Sequence, residues 1–328
     1  MVEAQTLRFG SHDLQELLVW LPAQRPPSES CESCESSRFW IILVHGGAWR
    51  DPTITHLNFA EPAVSILLSP SSPVSSILKT QHRSLAIASL SYRLSPHPSH
   101  PQDCETTPET SLRNARHPDH IDDVCAGLAL LKDMYGLTEQ NYMLVGHSCG
   151  ATLAFQALLR SRSRSGPGSD TLFPSPGALV GLAGIYDLRL LLDNHKDGLY
   201  GDIYTSFIEG AFGKRMDDWD RASPTHFSES DMYSGRTVLL VAARGDELVE
   251  PEQRDAMRRT VLGPEAMDLP VEEKSSAGES ESAFSFEHKG CRYAQMSVDG
   301  GHDDMWLVGQ RIVAAIERAL QIMTAPTI

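Results

Sequence analysis

No stretch of this chain approaches the roughly 20 consecutive apolar residues that a membrane-spanning helix needs. Its opening, MVEAQTLRFGSHDLQ, lacks the basic start and apolar block of a secretory signal. There is no N-x-[ST] glycosylation site. Cysteine is sparse, six residues scattered along the chain. Cys31 and Cys34 make a C-x-x-C, but it lies in SESCESCESS with no second pair of ligands, so neither zinc binding nor redox work is expected there. Reduced thiols and a cytoplasmic location are the expectation from these absences. Basic charge is also short. Lys and Arg number 28 against 43 Asp and Glu, a net charge of −15, and an acidic surface repels nucleic acid and anionic membranes alike. Neither is expected as a partner.

What is present is a hydrophobic fraction of 41% with 22% charged residues, the balance of a globular chain with a sizeable core. A loosely alternating strand is expected at Leu14 to Leu21, buried-strand patterns at Phe39 to Val44, Ser84 to Leu90 and Tyr142 to Val145, and further strands at Ala178 to Ala183, Thr237 to Ala243 and Cys291 to Val298. Helical spacing is predicted from Pro118 through Ile121, Val124, Leu128, Leu131 and Met134, from Ala151 onward, over Ile203 to Phe212, over Glu252 to Val261, and over Met305 to Ile322. Strands alternating with helices predict an α/β class, a mostly parallel central sheet flanked by helices. One domain over residues 1–328 is expected, with a small helical cap near 189–234. Polar, flexible insertions are expected near 22–37, 161–177 and 272–285, and 69–76 reads as a further loop.

The chain is organised around YMLVGHSCGATLAFQ, residues 142–156. A short apolar strand runs into Gly146-His147-Ser148-Cys149-Gly150, and a helix follows. A serine on so tight a strand-to-helix turn needs small neighbours two residues away on either side, and Gly146 and Gly150 supply them. A serine hydroxyl attacks only if a base takes its proton, and that base must be held in one tautomer by a carboxylate. Asp246 stands just past the Thr237 to Ala243 strand, and His302 just past the last strand in Asp299-Gly300-Gly301-His302-Asp303. Glu247 and Glu250 share the loop of Asp246 and could take its role. Directly after the first buried strand comes His45-Gly46-Gly47-Ala48-Trp49. Consecutive glycines can turn their amides toward a developing negative charge, so the amides of Gly46, Gly47 and Cys149 are the expected oxyanion hole, with His45 as a buttress.

HGGAW, SYRLSP, HPDHIDDV, GHSCG, GIYDL, RGDELV and GGHDDMW stand in the order of the hormone-sensitive-lipase-like branch of the α/β-hydrolases. With HGGAWRDP followed by Asn58-Phe59, the chain most resembles kynurenine formamidase of the fungal type. That resemblance covers roughly residues 39–322 outside the polar tracts. It implies an α/β-hydrolase fold and cleavage of N-formyl-L-kynurenine to L-kynurenine and formate, in tryptophan catabolism feeding NAD biosynthesis. It also implies Ser148 as nucleophile, His302 as base and Asp246 as its orienter. No metal and no cofactor are expected, and the partner is a small aromatic formamide; a homodimer stays open. Trp49 and Tyr186 are the expected substrate-side aromatics. Two other readings remain at this stage: a general carboxylesterase of the same branch, and a hydrolase-fold binding protein without catalysis.

Overall fold

A computed structural model describes residues 3–21, 38–162, 172–227, 232–263 and 282–325. Nine strands form one sheet in the order β1-β2-β4-β3-β5-β6-β7-β9-β8. They are β1 (Gln5–Arg8), β2 (Glu16–Trp20), β3 (Arg38–Val44), β4 (Ser84–Leu90), β5 (Tyr142–His147), β6 (Ala178–Leu182), β7 (Thr237–Ala243), β8 (Ser282–His288) and β9 (Cys291–Val298). The six strands from β4 to β9 through the middle are mutually parallel; β2 and β8 run against them, and β1 pairs antiparallel with β2 at the edge.

The near-continuous apolar strands are the consequence of burial on both faces. Along β3, Trp40, Ile42 and Val44 enter one core cluster while Phe39, Ile41 and Leu43 enter the other. The first layer is completed by α3 (Asp119–Tyr135), α4 (Cys149–Arg162) and α8 (Pro251–Leu262). The second is covered by α1 (His56–Leu67), α2 (Pro73–Thr80) and α10 (Gly309–Thr324). Three helices lie between β6 and β7: α5 (Leu188–His195), α6 (Gly201–Phe212) and α7 (Met216–Ala222), followed by one 3-10 turn at Pro224–His226. A four-residue helix, α9 (Asp304–Leu307), precedes α10.

Several elements depart from the pattern read in the sequence. The 69–76 tract is not all loop, because Ser72 accepts the Ser75 amide as an N-cap and Pro73 begins α2, the position where proline's fixed φ suits a helix. Before it, α1 was hidden by Pro62 in its interior; a capping box of Thr55 and Asn58 starts it. The last helix is broken at Val308 into α9 and α10.

The 22–37 tract lies outside the described residues. Of 161–177, residues 161–162 end α4 and 172–177 lead into β6. Of 272–285, residues 282–285 are not an insertion but open β8. That strand pairs with β9 across Lys289 and Gly290, both at positive φ, the two-residue hairpin geometry that matches sheet twist.

Candidate active site

The loops leaving the carboxyl ends of the parallel strands hold the expected site residues, the place that the topology of such sheets favours. β3 delivers residues 45–49, β5 delivers Ser148, β7 delivers Asp246 and β9 delivers His302. A cavity of about 490 Å³, lined by Phe39, Arg83, Arg236, Thr237 and Arg292 among others, opens at the opposite, amino-terminal ends of the strands and takes no part here.

Ser148 sits at φ 54° between β5 and α4, a left-handed conformation that costs a non-glycine residue energy and persists only when the surroundings fix it. The surroundings do so. The Ser148 amide donates to the Leu182 carbonyl at 2.9 Å, and the Ser148 carbonyl accepts from Ala151 at 3.0 Å and Ile185 at 3.2 Å. A side chain at Gly146 would strike the Gly150 backbone, and one at Gly150 would strike the backbone of Val44 and His45. The two glycines therefore permit both the sharp turn and its contact with the next loop.

His302 is 9% exposed, and its Nδ1 lies 2.9 Å from Asp246 Oδ2. A carboxylate only accepts, so Nδ1 carries the proton and Nε2 is left as the basic nitrogen. The other oxygen of Asp246 accepts the amides of Leu248 and Val249, each at 2.9 Å. Glu247 is exposed, and Glu250 is engaged by His195, Asn194 and Gln253. Of the three acids on this loop, the structure joins Asp246 to His302. The two loops are also stitched by backbone bonds, Arg244 to Val298 at 2.8 Å and Gly245 to Gly300 at 2.9 Å.

His147, inside the elbow motif, was assigned no role from sequence. Its Nε2 donates to the His302 carbonyl at 3.1 Å, tying the base's backbone to the residue beside the nucleophile. Burial, and then the nearby His302, hold its pKa well below 6.5, so it stays neutral and structural. His147, His302 and Asp303 bring one ligand atom each within 4.8 Å. Each of the two rings already has one nitrogen engaged, His302 Nδ1 by Asp246 and His147 Nε2 by the carbonyl.

The loop after β3 is held in an unusual shape. Gly47, Ala48 and Trp49 lie at φ 99°, 47° and 60°. Among the described residues the amides of Gly46 and Gly47 donate to no protein acceptor. Cys149 is the first residue of α4, where a helix amide has no intrahelical acceptor. The amides of Gly46 and Gly47 are thus uncommitted, while that of Cys149 has its own thiol beside it. His45 packs flat on Tyr92, ring centroids 4.4 Å apart at 11°, and its Nδ1 lies 2.8 Å from the Gly46 carbonyl. Burial pushes its pKa down to about 3, which leaves it neutral.

Two side chains support this loop in a way that sequence reasoning did not assign. The Tyr92 hydroxyl lies 3.0 and 3.1 Å from the carbonyls of His45 and Gly46. The Cys149 thiol accepts the Trp49 amide at 3.3 Å and meets the Tyr92 hydroxyl at 3.6 Å. Both stand in segments that were singled out, SYRLSP and GHSCG, but periodicity carries no signal for a side chain that reaches across to another loop.

The two aromatics expected at the substrate are placed elsewhere. The Trp49 ring is fully buried, packed edge-on against Phe212 at 4.9 Å and against Phe207 at 6.1 Å. It joins the loop to the cap and presents no open face. Tyr186 is 2% exposed, set against Phe155, with its hydroxyl in the space that a Gly181 side chain would fill. It is a core residue behind β6, because Gly181 in that strand and Gly184 just past it leave room for its ring.

A serine elbow, a carboxylate-bound imidazole and a two-glycine loop on a mostly parallel sheet define a serine hydrolase of the α/β-hydrolase fold. Solved structures agree on the fold. A truncated carbohydrate esterase from gut microbiota superposes with a TM-score of 0.57 at 16% identity, covering 98% of this chain and 97% of that one. An inhibited esterase B from Lactobacillus rhamnosis gives 0.59 at 14%, covering 98% and 87%. A scan of protein-family models matches none. Among curated proteins, a kynurenine formamidase-like hydrolase of Fusarium equiseti is 33% identical over 316 residues, 94% of this chain and 90% of that protein. The kynurenine formamidase of Aspergillus versicolor is 34% identical over 284 residues, covering 82% and 84%, and that of Meyerozyma guilliermondii 30% over 281, covering 84% and 86%. The chain belongs to the kynurenine formamidase family.

Proposed function

We propose that this protein hydrolyses N-formyl-L-kynurenine to L-kynurenine and formate. The observation that carries the reading is the 2.9 Å bond between His302 and Asp246 in a chain of this family. It leaves His302 Nε2 as the base for the serine of the neighbouring elbow. Ser148 Oγ attacks the formyl carbon as His302 Nε2 takes its proton. The carbonyl oxygen becomes negative and is received by the amides of Gly46, Gly47 and Cys149, of which the two glycine amides have no protein acceptor among the described residues. Asp246 stabilises the imidazolium and keeps its orientation. His302 then delivers the proton to the arylamine nitrogen, the C–N bond breaks, and the amine leaves. Water, deprotonated by His302, attacks the formyl ester, and formate departs with Ser148 restored.

Every step is carried by side chains and amides of this chain. No helix among the described residues is long and apolar enough to cross a membrane. A cytoplasmic place in tryptophan breakdown belongs to the same proposal. The test is turnover of N-formyl-L-kynurenine beside p-nitrophenyl acetate. Specificity constants that favour the formamide support the reading. Fast ester cleavage with negligible formate release from N-formylkynurenine would overturn it in favour of a carboxylesterase.

A further inference from the structure

The oxyanion loop ends in a charge without a counter-ion among the described residues. Arg50 follows Trp49 directly and is only 7% exposed. Its Nη1 donates to Ser206 Oγ at 2.9 Å, and its guanidinium carbon stands 5.7 Å from the centre of the Phe207 ring. Among the described residues no carboxylate oxygen comes within ion-pair distance of it. Asp51, the nearest acid to influence it, spends one oxygen on the amide and hydroxyl of Thr53, at 2.8 and 2.7 Å. Guanidinium groups do not give up their proton in proteins, and a largely buried one without a counter-ion is costly.

Further basic side chains gather near it, with His97 held below its ordinary pKa by burial first and then by Arg50. His97 feels the charges of Arg50, His100 and Arg113. Its ring packs edge-on against His100 with centroids 4.9 Å apart. Two arginines and two histidines therefore gather, with Asp51 as the acid among them, on a chain whose net charge is −15.

Their position ties them to the catalytic centre. Helix α6 contacts the oxyanion loop through Ser206, Phe207 and Phe212, and the acid loop through the Tyr204 hydroxyl, which donates to the Leu248 carbonyl at 2.6 Å. It therefore roofs the ground between the two loops, and Arg50 is fixed at its oxyanion-loop side.

We infer that Arg50 is the anchor for a carboxylate on the amine side of the substrate, so that the enzyme selects aryl formamides bearing a free acid over neutral ones. The inference rests on the formamidase reading above and names the substrate class of that same site. A guanidinium suits this task because its fork of N–H donors matches a carboxylate in two directions, and exclusion of water by the cap strengthens the pairing.

The test compares N-formyl-L-kynurenine with its methyl ester in wild type, Arg50→Gln and Arg50→Lys. Wild type should prefer the free acid by about ten- to a hundredfold in kcat/KM, the range for a hydrogen bond to a charged group, with the difference mainly in KM. Arg50→Gln should bring that ratio near one, and Arg50→Lys should keep part of it. A wild type that cleaves both equally, or a ratio unchanged in Arg50→Gln, overturns the inference. Should Arg50→Gln not fold, the wild-type ratio and Arg50→Lys still decide it. Failure of the formamidase reading is distinct: wild type would then cleave p-nitrophenyl acetate but neither formamide. In that case 3-acetoxybenzoate and its methyl ester replace the pair, and equal turnover of the two by wild type overturns the inference.

Discussion

Asp246 and Glu247 are neighbours with the same charge, yet only one bonds the imidazole. Asp246 is held from behind by two amides and from in front by His302, whereas Glu247 points into solvent. Asp246→Asn should therefore lower kcat by about four orders of magnitude by disturbing the His302 tautomer, while Glu247→Gln stays within about threefold; steady-state kinetics separate them, and a crippled Glu247→Gln would move the role. The Cys149 thiol is a second residue-scale test. Removing it strands the buried Trp49 amide, a loss of about 1–3 kcal/mol, from a loop with three successive positive-φ residues. Cys149→Ala should reduce kcat by about tenfold or more with little change in KM, and Cys149→Ser, which keeps an acceptor, should recover most of it. An unchanged kcat in Cys149→Ala would remove the thiol from this role. The candidate nucleophile, base and glycine loop were legible in the sequence because each must follow a strand in a fixed order. The supporting side chains of Tyr92, His147 and Cys149 were not, since their partners lie on other loops.

At the scale of elements, the cap decides what the sequence left unclear. Helix α6 was readable from its spacing, but α5 and α7 were not; they are short, and α7 begins with charged residues at Met216–Ala222. Likewise α1 and α2 hid behind proline, while β1 and β8 are edge strands that only their pairing partners define. The placement of Trp49 shows why residue type alone misled. Beside the oxyanion loop it looks like a substrate platform, but Phe207 and Phe212 on α6 cover it. The bond from Tyr204 to Leu248 ties this helix to the acid loop. Tyr204→Phe should cost about 0.5–1.5 kcal/mol of that attachment and lower kcat/KM by about three- to tenfold, with circular dichroism unaltered. Wild-type kinetics in Tyr204→Phe would show that α6 does not depend on this bond.

Over the whole molecule, histidine burial sets the response to acid. Burial is the leading cause that lowers His45 and His120 to about 3, and His56 and His117 to about 4. The unfolded chain binds protons on these rings below their ordinary value of 6.5, and the folded chain refuses them. The unfolded state then holds more protons, so stability is complete above that value and drains as pH falls toward the folded pKa values. The melting temperature should be level near pH 7 and above, and drop steeply between about pH 6 and 4, with several protons taken up per unfolding event. A melting temperature that holds steady down to about pH 4 would contradict this assignment of neutral, buried rings.

The same architecture makes one residue answerable for the chemistry. Four strands bring the elbow, the imidazole and the glycine loop to one end of the sheet, and in the proposed path the first attack is that of Ser148 Oγ. The most direct measurement is formate release from N-formyl-L-kynurenine by wild type and Ser148→Ala under identical conditions. The serine mechanism predicts a fall in kcat of at least about a thousandfold with the variant still folded. A Ser148→Ala protein that releases formate within about tenfold of wild type would contradict it.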